Sequence, residues 1–312
     1  MPKIRYIEKR FQSISLDLIK KANIIIAEYD AMGFTLTLRQ LYYQFVSRDF
    51  IPNTARSYQR LGDVINDARL AGLIDWNAIE DRTRNVRSLS HWDTPSAIVE
   101  ACAEQFHLDL WATQRHRVEV WIEKDALIGV IEDVCNEFDV PFFSCRGYVS
   151  QSEMWGAAMR AVARMGIKNG VPQKTIVLHL GDHDPSGIDM TRDITDRINM
   201  FCAHHGYPHI FQMRRLALNM DQVQEYHPPP NFAKATDARF AGYRKKYGDE
   251  SWELDALNPT VLDGLIRNEI ADVLNRPEYD KLRTKQHQHR EELKSVSDRW
   301  MDVVSAIQED RL

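Results

Sequence analysis

The chain has 312 residues and a formal net charge of -5 at pH 7; 44% of its residues are hydrophobic and 27% are charged. These values are ordinary for a soluble globular protein with room for about two domains, and the acidic balance argues against a uniformly basic nucleic-acid binder. No apolar run approaches the roughly 20 residues of a membrane span, and the N-terminus lacks the apolar core of a signal peptide. Four cysteines without CxxC pairs indicate reduced thiols, so we expect a cytoplasmic protein without a membrane segment.

The N-terminal third of the chain has the pattern of three helices. The first is predicted from Ser15 to Met32 and stops at Gly33, the second begins near Thr37, and the third spans about Ala55 to Leu73. The segment LIDWNAIEDRTRNV follows the third helix and has the length of a short β-wing. Three helices followed by a wing predict a winged-helix domain.

The second predicted helix presents two different faces. Its apolar stripe at positions i, i+3, i+4 and i+7 consists of Leu38, Leu41, Tyr42 and Phe45. Tyr43 lies about 100° away from this stripe and shares its face with Arg39, four residues earlier. We therefore predict that Tyr42 belongs to the core and that Tyr43 points outward beside an arginine. An ordinary surface tyrosine would fit the same pattern.

The basic residues between Lys21 and Lys124 are, histidines apart, all arginines. The guanidinium fork matches phosphate with two hydrogen bonds, which a lysine ammonium cannot do. We expect arginines of the third helix and the wing to contact a DNA backbone, and the candidates are Arg56, Arg60, Arg82, Arg84 and Arg87. The alternative is a solvated surface on which they pair with neighbouring acids, namely Asp63, Asp67, Glu80 and Asp81.

Two predicted strands end in acidic residues. The run HRVEVWIE closes with Glu123, and TIVLHL is followed by Asp182 and Asp184 on a turn that we expect to be exposed. Pro185 suits the first turn of the next helix, with Asp184 as its N-cap. Strand ends of an open α/β sheet meet at one edge, and three carboxylates there suit Mg²⁺. Taken alone, the Asp-x-Asp pair could be only a solvated turn and a helix cap.

The remaining elements give a domain plan. We place a boundary near residue 113, with residues 1–113 as one domain and 114–312 as another that carries a C-terminal extension from about residue 220. The further predicted elements are a connecting helix in TPSAIVEACAEQF, helices at 151–167 and 186–203, and a strand at 209–218. Arg146 follows a predicted strand and is a further candidate for DNA contact. The segment HPPPNFAKATDARFAGYRKKYGDES contains three consecutive prolines and is predicted to be an extended arm or loop, and we assign no role to residues 226–257.

Three blocks of this sequence resemble a known family. They are VEVWIEKDALIGVIED, SCRGYVSQSEM and GDHDPSGIDM, which lie in this order between residues 118 and 190. A glutamate at the end of one strand, with Asp-x-Asp at the end of a later strand, is the pattern of the Toprim fold. The residues of the three blocks are similar to those of the A subunit of topoisomerase VI and of the related meiotic double-strand-break transesterase. The segment RQLYY resembles that family's arginine followed four residues later by the DNA-cleaving tyrosine, although Gln40 stands where the family often has an acid.

The resemblance implies an α/β architecture and a reaction. The fold would be an N-terminal winged-helix domain followed by a Toprim domain (Rossmann-like, mostly parallel sheet) with a C-terminal helical extension. Tyr43, assisted by Arg39, would form a 5′-phosphotyrosyl link to double-stranded DNA, as in type IIB DNA topoisomerases. Glu123, Asp182 and Asp184 would hold Mg²⁺.

The resemblance also implies partners. In the family the tyrosine of one protomer works with the metal site of the other, so a homodimer makes the double-strand break, and we expect the protein to be associated with the nucleoid. Topoisomerase VI needs a separate ATPase B subunit, whereas the short length of this chain favours a stand-alone A-like member. Two alternatives remain open: a Toprim nuclease that uses metal-activated water, and a DNA-binding accessory protein without catalysis.

Overall fold

The computed structural model describes residues 3–79, 89–168, 171–233 and 236–309. Within these ranges the chain is an α/β protein, as predicted. Its α-helices are α1 (Ser13–Ala31), α2 (Leu38–Ser47), α3 (Ala55–Leu70), α4 (Pro95–Gln105), α5 (Ile128–Glu137), α6 (Gln151–Ala163), α7 (Pro185–His204), α8 (Met220–Tyr226), α9 (Phe240–Tyr247), α10 (Pro259–Val273), α11 (Arg276–Asp298) and α12 (Trp300–Glu309). Its strands are β1 (His116–Ile122), β2 (Phe142–Ser144), β3 (Ile167–Lys168), β4 (Val171–Pro172), β5 (Lys174–Leu180), β6 (Phe211–Ala217), β7 (Asn231–Phe232) and β8 (Glu250–Ser251). Short 3-10 turns lie at Asp125–Leu127 and Leu254–Ala256.

The chain divides into two compact units that do not coincide with the predicted domains 1–113 and 114–312. The first unit comprises residues 1–84, 118–165 and 174–270, and the second comprises 85–117, 166–173 and 271–312. The predicted boundary near residue 113 therefore lies inside the second unit. The difference arises because α2 packs against the 3-10 turn at 254–256, while α4 packs against α11. Such contacts between distant parts of a chain leave no local sequence signal.

The three predicted N-terminal helices are present as α1, α2 and α3. They share one apolar core, to which α1 contributes Ala22 and Ile25 and α2 contributes Leu41 and Phe45. Thr37 caps α2 in a reciprocal capping box with Gln40, which explains where this helix begins. The predicted wing, residues 73–86, is described only as far as Ile79, which forms an isolated parallel bridge with Leu36, and the rest of the segment lies outside the described residues.

A four-stranded parallel sheet forms the centre of the first unit, in the order β2-β1-β5-β6. Residues 175–180 of β5 are all buried, as expected for a parallel strand covered on both faces. The backbone N–H of Glu123 donates to the carbonyl of Leu180 at 2.8 Å, which aligns the carboxyl ends of β1 and β5. The helix that follows β1 has one apolar face, whose five residues are buried: Leu127, Val130, Ile131, Val134 and Phe138.

The second unit is built mainly from α4, α11 and α12, with the short β3–β4 hairpin. Ser297 on α11 donates a hydrogen bond to the carbonyl of Ser96 on α4 at 2.9 Å, and the rings of Trp111 and Tyr279 meet edge to face. The predicted connecting helix is thus confirmed as α4. Among the described helices of the chain, none combines the length and the apolar character that crossing a membrane requires.

Candidate functional site

Glu123 and Asp182 meet at the carboxyl edge of the sheet. Glu123 directly follows β1, and Asp182 follows β5 after Gly181. The Asp182 backbone N–H donates to Oε2 of Glu123 at 2.8 Å. Gly181 permits this approach, because a Cβ there would come within 3.0 Å of Glu123 Oε2 and within 3.2 Å of the His179 ring. The two acids that the sequence predicts at one edge are therefore in direct contact.

Asp184 serves as the N-cap of α7. Its Oδ1 accepts hydrogen bonds from the Gly187 backbone N–H at 2.6 Å and from the Ser186 hydroxyl at 2.9 Å, and Pro185 occupies the first helical turn. The predicted cap is confirmed. One of its two carboxylate oxygens is committed to the helix, so Asp184 has less capacity for a cation than its sequence position indicates.

A carboxylate cluster that the sequence analysis missed lies beside this edge. Oxygen atoms of Asp182, Glu253 and Asp255 all lie within 4.8 Å of one another. Glu253 and Asp255 belong to the segment without an assigned role, and the acidic pair in Glu-Leu-Asp was the available signal. Its partner Asp182 lies about 70 residues earlier in the chain, and no local pattern joins the two.

Lys124 is the cation of this cluster. Its ammonium lies 2.9 Å from Asp182, 2.5 Å from Glu253 and 2.9 Å from Asp255. Burial by itself would lower the pKa of Lys124, but the three carboxylates raise it well above its usual range. The pKa of Glu253 is lowered. Burial of this carboxyl would raise its pKa, but the charges of Lys124 and Arg39 lower it to about 2.

The donor set fits a metal ion. Carboxylate oxygens are the ligands that hard divalent cations prefer, and Asp182, Glu253 and Asp255 could hold one such ion. The Lys124 ammonium contacts all three carboxylates, so an ion bound by all three would have to displace it. The oxygen ligands suit Mg²⁺ but do not by themselves select it over other hard cations.

Arg39 and Tyr43 of α2 reach the same cluster. Arg39 donates to Glu253 at 2.6 Å and to Asp255 at 2.9 Å, and its guanidinium carbon lies 5.7 Å from the centroid of the Tyr43 ring. The shared helix face is therefore confirmed. The Tyr43 hydroxyl lies close enough to Glu253 to help lower the pKa of that carboxyl. Arg39 keeps 47% of its side chain exposed, so a ligand in solvent can reach the guanidinium.

The predicted outward orientation of Tyr43 is wrong. Only 6% of its surface is exposed, because the turn at 254–256 packs on this face of α2. Burial raises the pKa of Tyr43 well above its usual range, and the nearby Asp255 and Glu253 raise it further. Tyr42 is buried as predicted and donates a hydrogen bond to Asn53 at 2.9 Å.

The predicted exposure of the acidic turns is also wrong. Asp182 is only 7% exposed and Glu123 is half-buried. The turn is covered by the segment around Trp252: its carbonyl accepts from the His183 N–H at 2.8 Å, and the Leu254 N–H donates to Asp182 Oδ1 at 2.7 Å. Burial raises the pKa of Asp182 to about 7, with Lys124 opposing and Glu123 reinforcing the shift.

Arg215 of β6 fixes the shape of the acidic turn. The residue is half-buried, and its Nε atom is fully enclosed by protein. Its guanidinium donates to the carbonyls of Gly181 (3.0 Å), Asp182 (2.6 Å), Gly187 (3.0 Å) and Leu218 (3.2 Å) and to the hydroxyl of Thr191 (2.8 Å). These bonds hold the turn that carries Asp182 and Asp184. Burial lowers the pKa of Arg215 to about 10.

Replacing Arg215 should therefore unfold the turn. We expect Arg215→Met to reduce the free energy of unfolding by about 3 kcal/mol, because several carbonyls lose their donor at once. Urea denaturation measures this loss. The matched control is Arg214→Met on the same strand, where the half-exposed pair with Glu269 at 2.9 Å should contribute about 1 kcal/mol or less. Equal losses in the two variants would show that Arg215 does not brace the turn.

The candidate DNA-contacting arginines lie in several places. Arg56 and Arg60 are exposed on α3. Arg146 is 70% exposed and pairs with Asp125 at 3.0 Å. The others, Arg82, Arg84 and Arg87, lie outside the described residues, as do Glu80 and Asp81. The acids of α3 have other partners, since Asp67 pairs with Lys9 and Asp63 accepts from Gln59.

Comparison with known proteins adds no assignment. No protein-family model matches this sequence, and no curated protein matches it significantly. The likeness to the topoisomerase VI A subunit consequently rests on the motifs quoted above, and any function must be argued from the site itself.

Proposed function

We propose that this protein is a DNA-cleaving transesterase similar to the A subunit of topoisomerase VI, with a winged-helix domain preceding a Toprim domain. The observation that supports it best is one contiguous cluster: the Tyr43 hydroxyl and Arg39 contact Glu253, which shares Lys124 with Asp182. Tyr43, two cations and the acidic edge are thus connected through Glu253. Phosphoryl transfer to a tyrosine uses a nucleophile together with cations that stabilise the charge on the phosphate.

The chemistry assigns a role to each group. The Tyr43 oxygen attacks a backbone phosphorus in line, the bond from phosphorus to the 3′ oxygen breaks, and the phenol proton is released as the 3′ hydroxyl forms. Arg39 and Lys124 are placed to stabilise negative charge on the phosphate. Magnesium held by Glu123, Asp182 and Asp184, with Glu253 and Asp255 beside them, would supply Lewis-acid polarisation of the phosphate. The pKa of Tyr43 is raised in the free protein, so attack requires a base that accepts the phenol proton.

The wider proposal concerns partners. Double-stranded DNA is the substrate and Mg²⁺ the cofactor. A homodimer would make the two cuts of a double-strand break, near the nucleoid in the cytoplasm, either alone or with an ATPase B-type subunit.

A second function deserves its own test because Tyr43 is buried. A tyrosine with a raised pKa suits a structural role, and the acidic edge could then activate a water molecule as in Toprim nucleases. A DNA-binding accessory protein without catalysis is the third reading.

The three functions are separated by one assay with supercoiled plasmid, Mg²⁺ and a denaturing stop. The transesterase leaves nicked or linear DNA with protein on its 5′ ends, and EDTA abolishes the product. A nuclease leaves cut DNA with free ends. Any cleavage of the plasmid excludes the accessory function, and a plasmid that stays supercoiled counts against both the transesterase and the nuclease.

DNA contact by α3 has a separate signature in the salt dependence of binding. Changing Arg56 and Arg60 together to Gln should weaken binding and lower the slope of log K against log salt by about 2, roughly 0.9 for each lost phosphate contact. Arg48→Gln is the control, because Arg48 is paired with Glu28 at 2.5 Å. If the slope is unchanged in the double variant, Arg56 and Arg60 do not contact DNA phosphates.

A further inference from the structure

A groove lies beside the first turns of α1 and α3, within the first unit. Its cavity volume is about 630 Å³, which falls in the range of roughly 300–1,000 Å³ that is usual for sites of small ligands. Its lining includes apolar side chains, among them Ile14, Phe50 and Ile51, and two arginines of α3, Arg56 and Arg60. We call it the α1–α3 groove. The cluster around Lys124 contributes no residue to this lining, so the groove is a second feature of the unit.

The α1–α3 groove carries positive charge that the protein does not balance. Arg56 and Arg60 are four residues apart on α3, so they share a helix face and repel each other. The first turn of α3 contains no acidic residue, and within the part of the chain that the structure describes neither guanidinium has a hydrogen-bond or ionic partner. Asp17 also lines the groove, but it pairs with Lys21 at 2.8 Å. An anion in the groove would therefore neutralise two charges that now only repel.

The segment that joins α2 to α3 holds the groove open without a ligand. The Tyr42 hydroxyl lies 2.9 Å from the Asn53 side-chain oxygen and 3.2 Å from the Thr54 carbonyl. The Phe50 backbone N–H donates to the Phe45 carbonyl at 2.9 Å. These contacts fix residues 50–54 against α2, so a ligand does not have to order this wall of the groove when it binds.

The mixed lining selects the class of ligand. Two guanidinium groups match a phosphate dianion, to which each can donate two parallel hydrogen bonds. Inorganic phosphate would leave the apolar lining uncovered, and a fatty-acid carboxylate would neutralise only one arginine. A nucleotide satisfies both parts, because its base can stack on an aromatic ring such as Phe50 while its phosphate takes the charges.

We propose that the α1–α3 groove binds one nucleotide, with the 5′-phosphate on Arg56 and Arg60 and the base against the apolar lining around Phe50. The site goes beyond the proposed function, in which these arginines contact only the backbone of paired DNA, and it does not depend on cleavage. The nucleotide is either a free mononucleotide or an unpaired nucleotide of a DNA strand.

The ligand class is tested by calorimetric titration of the full chain in EDTA, where Mg²⁺-dependent cutting does not occur. Thymidine 5′-monophosphate should bind about 10-fold or more tightly than either thymidine or inorganic phosphate, because each of these lacks one half of the ligand. Inorganic phosphate or octanoate that binds as tightly as the nucleotide would show a general anion site or a lipid site and overturn the proposal. Failure of both the mononucleotide and an oligonucleotide to bind overturns it as well.

The location is tested by two matched variants of α1. Ile14→Asp places a carboxylate in the groove while both arginines stay, and it should weaken binding of the nucleotide by about 10-fold or more. Ile24→Asp is the control, since Ile14 and Ile24 are 58% and 49% exposed and Ile24 lies outside the groove lining. Thermal unfolding establishes that both variants are folded. Equal binding of the nucleotide by the two variants would show that it does not occupy this groove.

The source of the nucleotide is decided with DNA duplexes that differ by one unpaired nucleotide. If the groove takes a nucleotide of a DNA strand, the duplex with the unpaired nucleotide binds more tightly than the fully paired one, and Ile14→Asp removes that difference. If the ligand is a free mononucleotide, the two duplexes bind alike and only the mononucleotide is weakened by Ile14→Asp. Every arm measures binding alone, so the site can be established even if the protein never attaches to DNA ends.

Discussion

Tyr43→Phe should abolish covalent attachment of the protein to DNA ends, while Tyr42→Phe should retain it. Both tyrosines are buried, and each variant loses one hydroxyl: that of Tyr42 donates to Asn53, and that of Tyr43 lies near Glu253 and Asp255. Each substitution should therefore cost a similar amount of stability, about 1–2 kcal/mol. Only Tyr43 has its oxygen beside Arg39 and the acidic cluster, so only its loss removes the nucleophile.

The comparison is read by denaturing electrophoresis of protein on labelled 5′ ends, with urea denaturation to match the stability of the two variants. Retained cutting by Tyr43→Phe without attached protein would favour the water-using nuclease. If Tyr42→Phe is the inactive variant, the assignment of the two faces of α2 is wrong. If covalent attachment falls in both variants by amounts that follow their losses of folding stability, the assay reports only the fraction of folded protein.

Lys124→Met should lower the stability of the protein more than any exposed lysine substitution. The change leaves Asp182, Glu253 and Asp255 without their shared cation in a site where the lysine side chain is only 14% exposed. Breaking a buried ion pair in this way costs about 3–5 kcal/mol. Lys174→Met, at the exposed start of β5, is the matched control and should cost less than about 0.5 kcal/mol.

The pH dependence of this loss has a definite sign. Lys124 helps to hold the pKa of Glu253 at about 2, below its ordinary value of 4.5, so the stability from this pairing is present above pH 4.5 and disappears as the pH falls towards 2. The difference in unfolding free energy between parent and Lys124→Met should therefore narrow over that interval. Added Mg²⁺ should stabilise Lys124→Met more than the parent, because the ion no longer competes with an ammonium. A difference that stays constant with pH would contradict the assigned pairing.

Local patterns in the sequence predicted the elements of the fold and part of the site. The runs before Glu123 and Gly181 form the buried parallel strands β1 and β5, and Asp184 with Pro185 begins α7 as expected. Each of these predictions depends on residues within a few positions of one another. Hydrophobic periodicity and helix capping depend on residues close together in sequence, so they do not change with the fold of the rest of the chain.

The predictions of exposure failed for the opposite reason. Tyr43 and Asp182 are covered by residues 252–256, which follow them by roughly 200 and 70 positions, and a helical-wheel argument cannot include a distant covering segment. The carboxylates Glu253 and Asp255 went unassigned because their partners Arg39 and Lys124 are likewise remote. The hydrophobic pattern of the sequence therefore located the acidic edge of the sheet. The positions of Glu253 and Asp255 in the cluster depend on tertiary structure alone.

The distance along the chain between Arg39 and Asp255 has a consequence for protein synthesis. The two residues are 216 positions apart, and a ribosome that adds about 5–20 residues each second leaves α2 without these acidic partners for roughly 10–40 s. During that interval the tyrosine-bearing face of α2 is uncovered, and Lys124 has only Asp182 among its three acids once β5 has emerged. The cluster closes only when nearly the whole chain has been made. A truncated or stalled product consequently carries Tyr43 without the carboxylates that lie near it in the finished fold.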